Sequence, residues 1–176
     1  MKELYDSLDE GLKSKFANIK LLCLDFDGTL TDGCVYISED KLESIKADRT
    51  DGLGLEFVRK YTDIDVIILS RETNKVVAAR ASKLNIPCTQ GLNDKISNFM
   101  EEVKKRKLDV SEVCFVGDDL NDIEVIQKAG LGIAVGSGFE QVKKVADYIT
   151  KRNGGNGAVR EVCELIMYAK EKHPYP

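Results

Sequence analysis

Histidine is nearly missing from this chain. The single copy, His173, sits in the closing run KEKHPYP, which reads as a frayed tail, so histidine is excluded as the catalytic base. The five cysteines, Cys23, Cys34, Cys88, Cys114 and Cys163, are odd in number and nowhere spaced C-x-x-C. That excludes a zinc site built on cysteine pairs and fits free thiols in a reducing compartment. Apolar runs such as VIILS and LGIAV fall far short of the roughly 20 residues of a membrane helix. The opening MKELYDSLDEGLKSKF lacks the apolar core of a signal peptide. An excess of positive charge is missing too: 26 basic residues against 30 acidic ones leave a net charge of −4, without the basic footprint that nucleic acid selects. The expectation is a cytoplasmic chain with no nucleic-acid partner and no membrane partner.

What remains is a chain of 176 residues, 43% hydrophobic and 32% charged, enough for one globular domain that buries about two thirds of its surface. Short apolar runs alternate with segments of helical spacing, the pattern of a doubly wound parallel α/β sheet. Strands are expected at Lys20–Asp25, Val66–Ser70, Val113–Gly117 and Leu131–Val135, with a weaker edge at Tyr148–Thr150. Helices are expected near Leu53–Tyr61, Asn74–Leu84, Asp94–Lys107, Asn121–Ala129, Glu140–Ala146 and Gly157–Lys170. Asn85 and Gly130 follow two of these as residues tolerant of the left-handed conformation. Residues 1–17 read as a loosely attached N-terminal extension, and 18–176 as a single domain. Within it, residues 34–47 form a β-hairpin flap, too small to bury its own apolar face.

Ligands of open α/β sheets sit outside the carboxyl ends of the strands. The run LLCLDFDGT delivers Asp25 and Asp27 to such an end, the next strand delivers Ser70, and VCFVGDDLND delivers Asp118, Asp119 and Asp122, with Lys95 heading a helix between the last two. Five acids, a hydroxyl and a lysine on one rim suit phosphoryl transfer, which needs positioning and charge stabilisation. A carboxylate attacks phosphorus only when its repulsion from the phosphate is cancelled, and Mg²⁺, a hard cation with oxygen ligands, does this. Asp25 and Asp118 suit the metal and Asp27 suits a general acid/base, while Gly28 lets the backbone turn beneath the phosphate. Ser70 and Lys95 then hold phosphoryl oxygens. Two rival readings are weaker. A calcium loop over DFDGTLTDG would place Leu30 where its fixed glycine belongs, and a receiver-type signalling domain would carry its lysine last, not before GDD.

DFDGT, a strand-end serine, an isolated lysine and GDDLND, in that order, resemble the four motifs of the haloacid dehalogenase superfamily of phosphatases. That resemblance implies Asp25 as the nucleophile, Asp27 as the acid/base, and magnesium between Asp25, the Asp27 carbonyl and Asp118, with Asp119 and Asp122 supporting. From Lys20 to Ala169 the chain further resembles the 3-deoxy-octulosonate 8-phosphate phosphatase family, through Thr31-Asp32-Gly33, RTDGLG at 49–54, Gln90-Gly91 and GGNGAVRE at 154–161. The family implies the same sheet with no large cap domain, and a homotetramer in which a neighbour's hairpin closes each site. It also includes enzymes acting on nonulosonate (N-acylneuraminate) 9-phosphates, and a similar module is fused to some acylneuraminate cytidylyltransferases.

Where octulosonate enzymes read Thr-Gly-Arg after the strand, this chain reads Ser70-Arg71-Glu72, with Lys83 eleven positions after Glu72. That glutamate–lysine pair resembles the 9-phosphate members, so the residues favour a nonulosonate over an octulosonate phosphate. Arg80, one helical turn before Lys83, is a candidate for the substrate carboxylate. Asp51, Gly52, Gly54 and Arg160 are further substrate candidates by resemblance. Asp51 also reads as a helix cap, and the glycines before Arg160 read equally as a linker or as an anion-facing helix start. A catalytically idle oligomerisation or regulatory module stays as the alternative function, although such a copy has no reason to keep Asp25, Asp27, Lys95 and Asp118 together.

Overall fold

The computed structural model describes residues 1–175. Two helices, α1 (Lys2–Asp6) and α2 (Glu10–Asn18), open the chain, followed by β1 (Leu21–Leu24). An antiparallel hairpin, β2 (Thr31–Ile37) and β3 (Glu43–Ala47), comes next, then α3 (Arg49–Tyr61) and β4 (Asp65–Leu69). The alternation continues through α4 (Lys75–Leu84), β5 (Cys88–Thr89), α5 (Lys95–Lys105), β6 (Val113–Gly117) and α6 (Ile123–Lys128). It ends with β7 (Leu131–Ala134), α7 (Glu140–Lys143), β8 (Tyr148–Ile149) and α8 (Ala158–Ala169). The main sheet is parallel throughout, in the order β5-β4-β1-β6-β7-β8, and the hairpin stands apart from it.

Strand alternation splits the interior into two layers. Leu22, Leu24, Val66, Ile68, Cys114 and Val116 face one core, completed by α2, α3, α4 and α8. Their sequence neighbours Leu21, Cys23, Ile67, Leu69, Val113 and Phe115 face a second core under α5, α6 and α7. Strands buried on both faces read as continuous apolar runs, and this is why LLCL and VIIL carry no polar alternation. Because β1 is flanked by β4 on one side and β6 on the other, the chain reverses its winding there. Such a switch point opens a crevice at the strand ends, and Asp25, Ser70 and Asp118 each stand just beyond a strand that borders it.

Several expectations are corrected. The N-terminal segment is docked, not loose: Phe16 and Ile19 are fully buried in the first core, and a boundary at residue 17 cuts through α2. An unforeseen two-residue strand, β5, borders β4. Helix α3 begins at Arg49 and is capped by Asp48, which accepts from Thr50 N–H at 2.7 Å, so Asp51 to Gly54 lie inside the helix. Asn85 ends α4 in the left-handed conformation at φ 53°, but α6 ends at Ala129 in extended backbone, with no left-handed residue. The tail is not frayed at His173, whose ring stacks on Tyr168 at 4.2 Å and meets the Glu164 carboxylate.

Candidate active site

The turn after β1 is set by Gly28 and Thr31. Gly28 takes φ +78°, and a Cβ there would lie 2.0 Å from Asp118 Oδ2, so only glycine fits both the backbone and the space. Buried Thr31 Oγ1 accepts the N–H groups of Gly28 and Gly33 at 3.1 and 3.2 Å. After β6, Asp122 Oδ2 accepts the backbone N–H of Asp118 at 3.0 Å, and Asp119 Oδ1 caps Leu120 N–H at 2.6 Å. Both turns are therefore fixed by their own side chains, which holds the backbone under Asp27 and Asp118 in place.

At the centre, carboxylate oxygens of Asp25, Asp118 and Asp122 all lie within 4.8 Å of one another. Lys95 Nζ stands beside them, at 2.6 Å from Asp25 Oδ1, 2.5 Å from Asp122 Oδ1 and 3.0 Å from Asn121 Oδ1. Burial, then the charge of Asp122, pushes the Asp25 carboxyl well above its ordinary range, against the opposing pull of Lys95. Burial and the neighbouring Asp122 and Asp119 push Asp118 up to about 7. Asp27, half-buried, is raised by burial and by Glu72. Burial disfavours the charged form of Lys95, but Asp25 and Asp122 outweigh it and leave the ammonium above its usual value. One ammonium against three clustered carboxylates leaves surplus negative charge, the condition under which carboxylates hold protons or a cation.

A cleft of about 340 Å³ opens over this cluster, lined by Asp25, Asp27, Ser70, Arg71, Glu72, Asp118, Asp119 and Asn121 among others. Ser70 Oγ accepts Glu72 N–H at 3.0 Å, which leaves its own proton free to donate. Among the expected substrate residues, only Glu72 lines this cleft, and its Oε1 is turned to the N–H groups of Thr73 and Asn74 at 2.6 and 2.8 Å. Gly52, Arg80 and Lys83 line a second cleft of about 1140 Å³ between the hairpin, α3 and α4. Glu72 and Lys83, expected as a pair, thus face different cavities of one chain.

Asp51 and Gly54 lie away from both clefts. Asp51 is fully buried and accepts Arg160 N–H at 2.7 Å, so it secures the start of α8, and burial raises its carboxyl to about 6. A Cβ on Gly54 would lie 3.2 Å from both Arg160 Cα and Cys163 Cβ, so this glycine allows α3 and α8 to approach closely. Arg160 pairs with Glu164 at 2.5 Å and covers the Phe57 ring. The sequence missed the task of Glu161, a buried carboxylate that accepts Tyr148 Oη–H at 2.7 Å and Lys151 N–H at 2.9 Å. The loop it anchors brings Gly155 N–H onto Thr29 O at 3.1 Å, so the glycine run buttresses the β1 turn and is not a loose linker.

A turn carrying Asp25 and Asp27, a strand-end serine, a buried lysine and a second acidic turn thus meet at one switch point. Residues 59–162 match the family model described as haloacid dehalogenase-like hydrolase. The 3-deoxy-D-manno-octulosonate 8-phosphate phosphatase of Escherichia coli (strain B / BL21-DE3) is 36% identical over 169 residues, covering 96% of this chain and 89% of that protein. The chain belongs to this family of haloacid dehalogenase-like phosphatases. Among solved structures, the Moraxella catarrhalis 3-deoxy-D-manno-octulosonate 8-phosphate phosphatase, in complex with magnesium ion, phosphate ion and KDO, superposes with a TM-score of 0.87. It is 38% identical, and the match covers 91% of this chain and 92% of that one. A Vibrio cholerae structure, of a protein described as a putative 3-deoxy-D-manno-octulosonate 8-phosphate phosphatase, gives a TM-score of 0.91 at 30% identity, over 96% and 94% of the two chains.

Proposed function

We propose that this chain is a magnesium-dependent phosphomonoesterase for a 2-keto-3-deoxy sugar acid phosphate, with 3-deoxy-D-manno-octulosonate 8-phosphate as its substrate. The observation that carries the chemistry is the meeting of Asp25, Asp118 and Asp122 within 4.8 Å. The site fits a hard divalent cation: its donors are carboxylate oxygens, their surplus charge is offset by Lys95 alone, and Gly28 leaves the space beside Asp118 free of a side chain. Asp25 and Asp118 would hold Mg²⁺ together with the Asp27 carbonyl. When bound, the ion cancels the repulsion between carboxylate and phosphate and polarises the phosphoryl oxygens.

The remaining work falls to the chain. The Asp25 carboxylate attacks phosphorus as the bond to the sugar oxygen breaks, and Asp27, held protonated more readily by its burial, gives that oxygen its proton. Asp27 then takes a proton from water as the water attacks phosphorus, which frees inorganic phosphate and restores Asp25. The Ser70 hydroxyl holds a phosphoryl oxygen that does not leave, and the Lys95 ammonium, bonded to Asp25, Asn121 and Asp122, offsets the negative charge of the site.

The choice of the 8-carbon acid rests on the named relatives and reverses the preference drawn from Glu72 and Lys83. In this chain the Glu72 carboxylate is engaged by its own loop and Lys83 lines the other cleft. A nonulosonate 9-phosphate stays as the second reading because Glu72 does border the reaction cleft. Comparing kcat/KM on both phosphates tests the choice, and a tenfold preference for the 9-phosphate overturns it. The same assay with Asp25→Asn tests the idle-module alternative, which predicts that wild type and variant are equally silent.

We extend the proposal to a homotetramer in which a neighbour's hairpin closes the cleft. Val35, Tyr36, Ile37 and Leu42 support this, since they leave the hairpin's apolar side chains 50–70% exposed. Among the described residues no helix is long and apolar enough to cross a membrane. The free cysteines support a reducing, cytoplasmic setting.

A further inference from the structure

We propose that Arg71 is a specificity residue of the reaction cleft, whose guanidinium grips an oxyanion of the incoming substrate. The inference rests on the phosphomonoesterase reading and adds a residue to it. The cleft over the acid cluster is lined by Asp25, Asp27, Glu72, Asp118 and Asp119, and Arg71 is the one basic side chain on that lining. Lys95 is not available in the same way, because its ammonium is buried and already shared among Asp25, Asp122 and Asn121. A doubly charged phosphate on a sugar acid therefore enters a cavity with a single cation at its mouth.

The mounting of Arg71 points the same way. The residues around it are tightly held: Ser70 Oγ takes Glu72 N–H, Glu72 Oε1 takes Thr73 and Asn74 N–H, and Gly91 N–H reaches Glu72 O at 2.9 Å. Gln90 Nε2 adds a hydrogen bond to Thr73 O at 3.0 Å. Arg71 itself is exposed and has no ion pair or side-chain hydrogen bond among the described residues. Glu72, the nearest acid in sequence, spends its Oε1 on backbone N–H groups and leaves the guanidinium unclaimed. The backbone under Arg71 is therefore held, so binding has to order only the side chain, whose planar guanidinium is a bidentate donor matched to an oxyanion. One residue after the strand-end hydroxyl, where the octulosonate pattern has glycine, this chain thus carries an arginine of its own.

The oxyanion is either a phosphoryl oxygen or the sugar acid's carboxylate, and the experiment separates them. KM and kcat are measured for wild type, Arg71→Ala and Arg71→Lys on octulosonate 8-phosphate and on an aryl phosphate without a carboxylate, together with the inhibition constant of inorganic phosphate. The expected result is a KM for the sugar acid phosphate raised about tenfold or more in Arg71→Ala, with a much smaller fall in kcat and partial recovery in Arg71→Lys. A matching rise for the aryl phosphate and for inorganic phosphate places the contact on the phosphoryl group, and a rise confined to the sugar acid places it on the carboxylate. Unchanged KM and inhibition constants in Arg71→Ala, within twofold of wild type, overturn the proposal. A wild type that hydrolyses the aryl phosphate but not octulosonate 8-phosphate refutes the substrate reading instead, and the phosphate inhibition still reports on Arg71.

Discussion

Replacing Lys95 with methionine should leave its buried volume nearly filled and remove only the charge. The side chain is 3% exposed, and its ammonium lies 2.6 Å from Asp25 and 2.5 Å from Asp122. At an effective dielectric of ~20, each such contact is worth roughly 6–7 kcal/mol gross, much of it offset by the desolvation of the partners. Breaking a buried pair by deleting one member costs about 3–5 kcal/mol, because the orphaned charge stays inside. The cost should depend on pH. The Asp25 and Asp118 carboxyls already sit above their usual range, and losing the cation raises them further, so at acidic pH they are protonated and have little charge to orphan. Urea unfolding in EDTA should show Lys95→Met weaker than wild type by about 3–5 kcal/mol at pH 8, and by clearly less at pH 5. A loss below 1 kcal/mol at pH 8, or an equal loss at both pH values, would refute the claim that Lys95 neutralises this cluster.

Further predictions concern the same architecture. Without metal, wild-type stability should decline as pH rises from about 4 to about 7, because Asp118, raised to about 7 by burial and its acidic neighbours, binds a proton in the folded state that the unfolded chain has released. Magnesium should flatten that decline, and a stability that rises across the same window would contradict it. Gly28→Ala places a Cβ 2.0 Å from Asp118 Oδ2 at φ +78°, so turnover should fall at least about a hundredfold as the nucleophile turn shifts; near-normal kcat would mean the turn is not held as described. Glu161→Gln removes the charged acceptor of Tyr148, Lys151 and Arg152. Unfolding measurements should show a loss of about 1–3 kcal/mol, accompanied by a lower kcat.

The sheet and the clustered acids were legible because both are local signals. LLCL and VIIL are continuous apolar runs, as strands covered on both faces must be, and the acids follow them directly, so the strand ends locate the rim. Hydrogen bonding refined this picture in ways that spacing does not encode: Asp122 holds Lys95 and the Asp118 turn, a task indistinguishable in sequence from that of Asp119. The substrate set was less legible because proximity between distant segments decides it. Asp51 reads as an exposed cap or a ligand, yet its carboxylate meets Arg160 N–H across the α3–α8 contact, 109 residues away in sequence. Gly54 reads as a substrate candidate but makes room for that contact. Strand β5 has two residues, too few for any period to register, and α2 is anchored by Phe16, whose burial depends on a core assembled from the whole chain. Arg71 carries no sequence signal, because its lack of an ion pair or side-chain hydrogen bond among the described residues shows only in the arrangement of its neighbours.

The account turns on Asp25 acting as a nucleophile, and an Asp27→Asn variant exposes that step most directly. Without its base the second displacement stalls, and acid-quenched enzyme, mixed with magnesium and octulosonate 8-phosphate or a reactive aryl phosphate, can be digested and its peptides weighed. A phosphoryl group on the peptide carrying Asp25, lost when EDTA replaces magnesium, is the predicted result. Phosphate release that proceeds with no phosphoryl group on Asp25, or with one on another residue, would contradict the account.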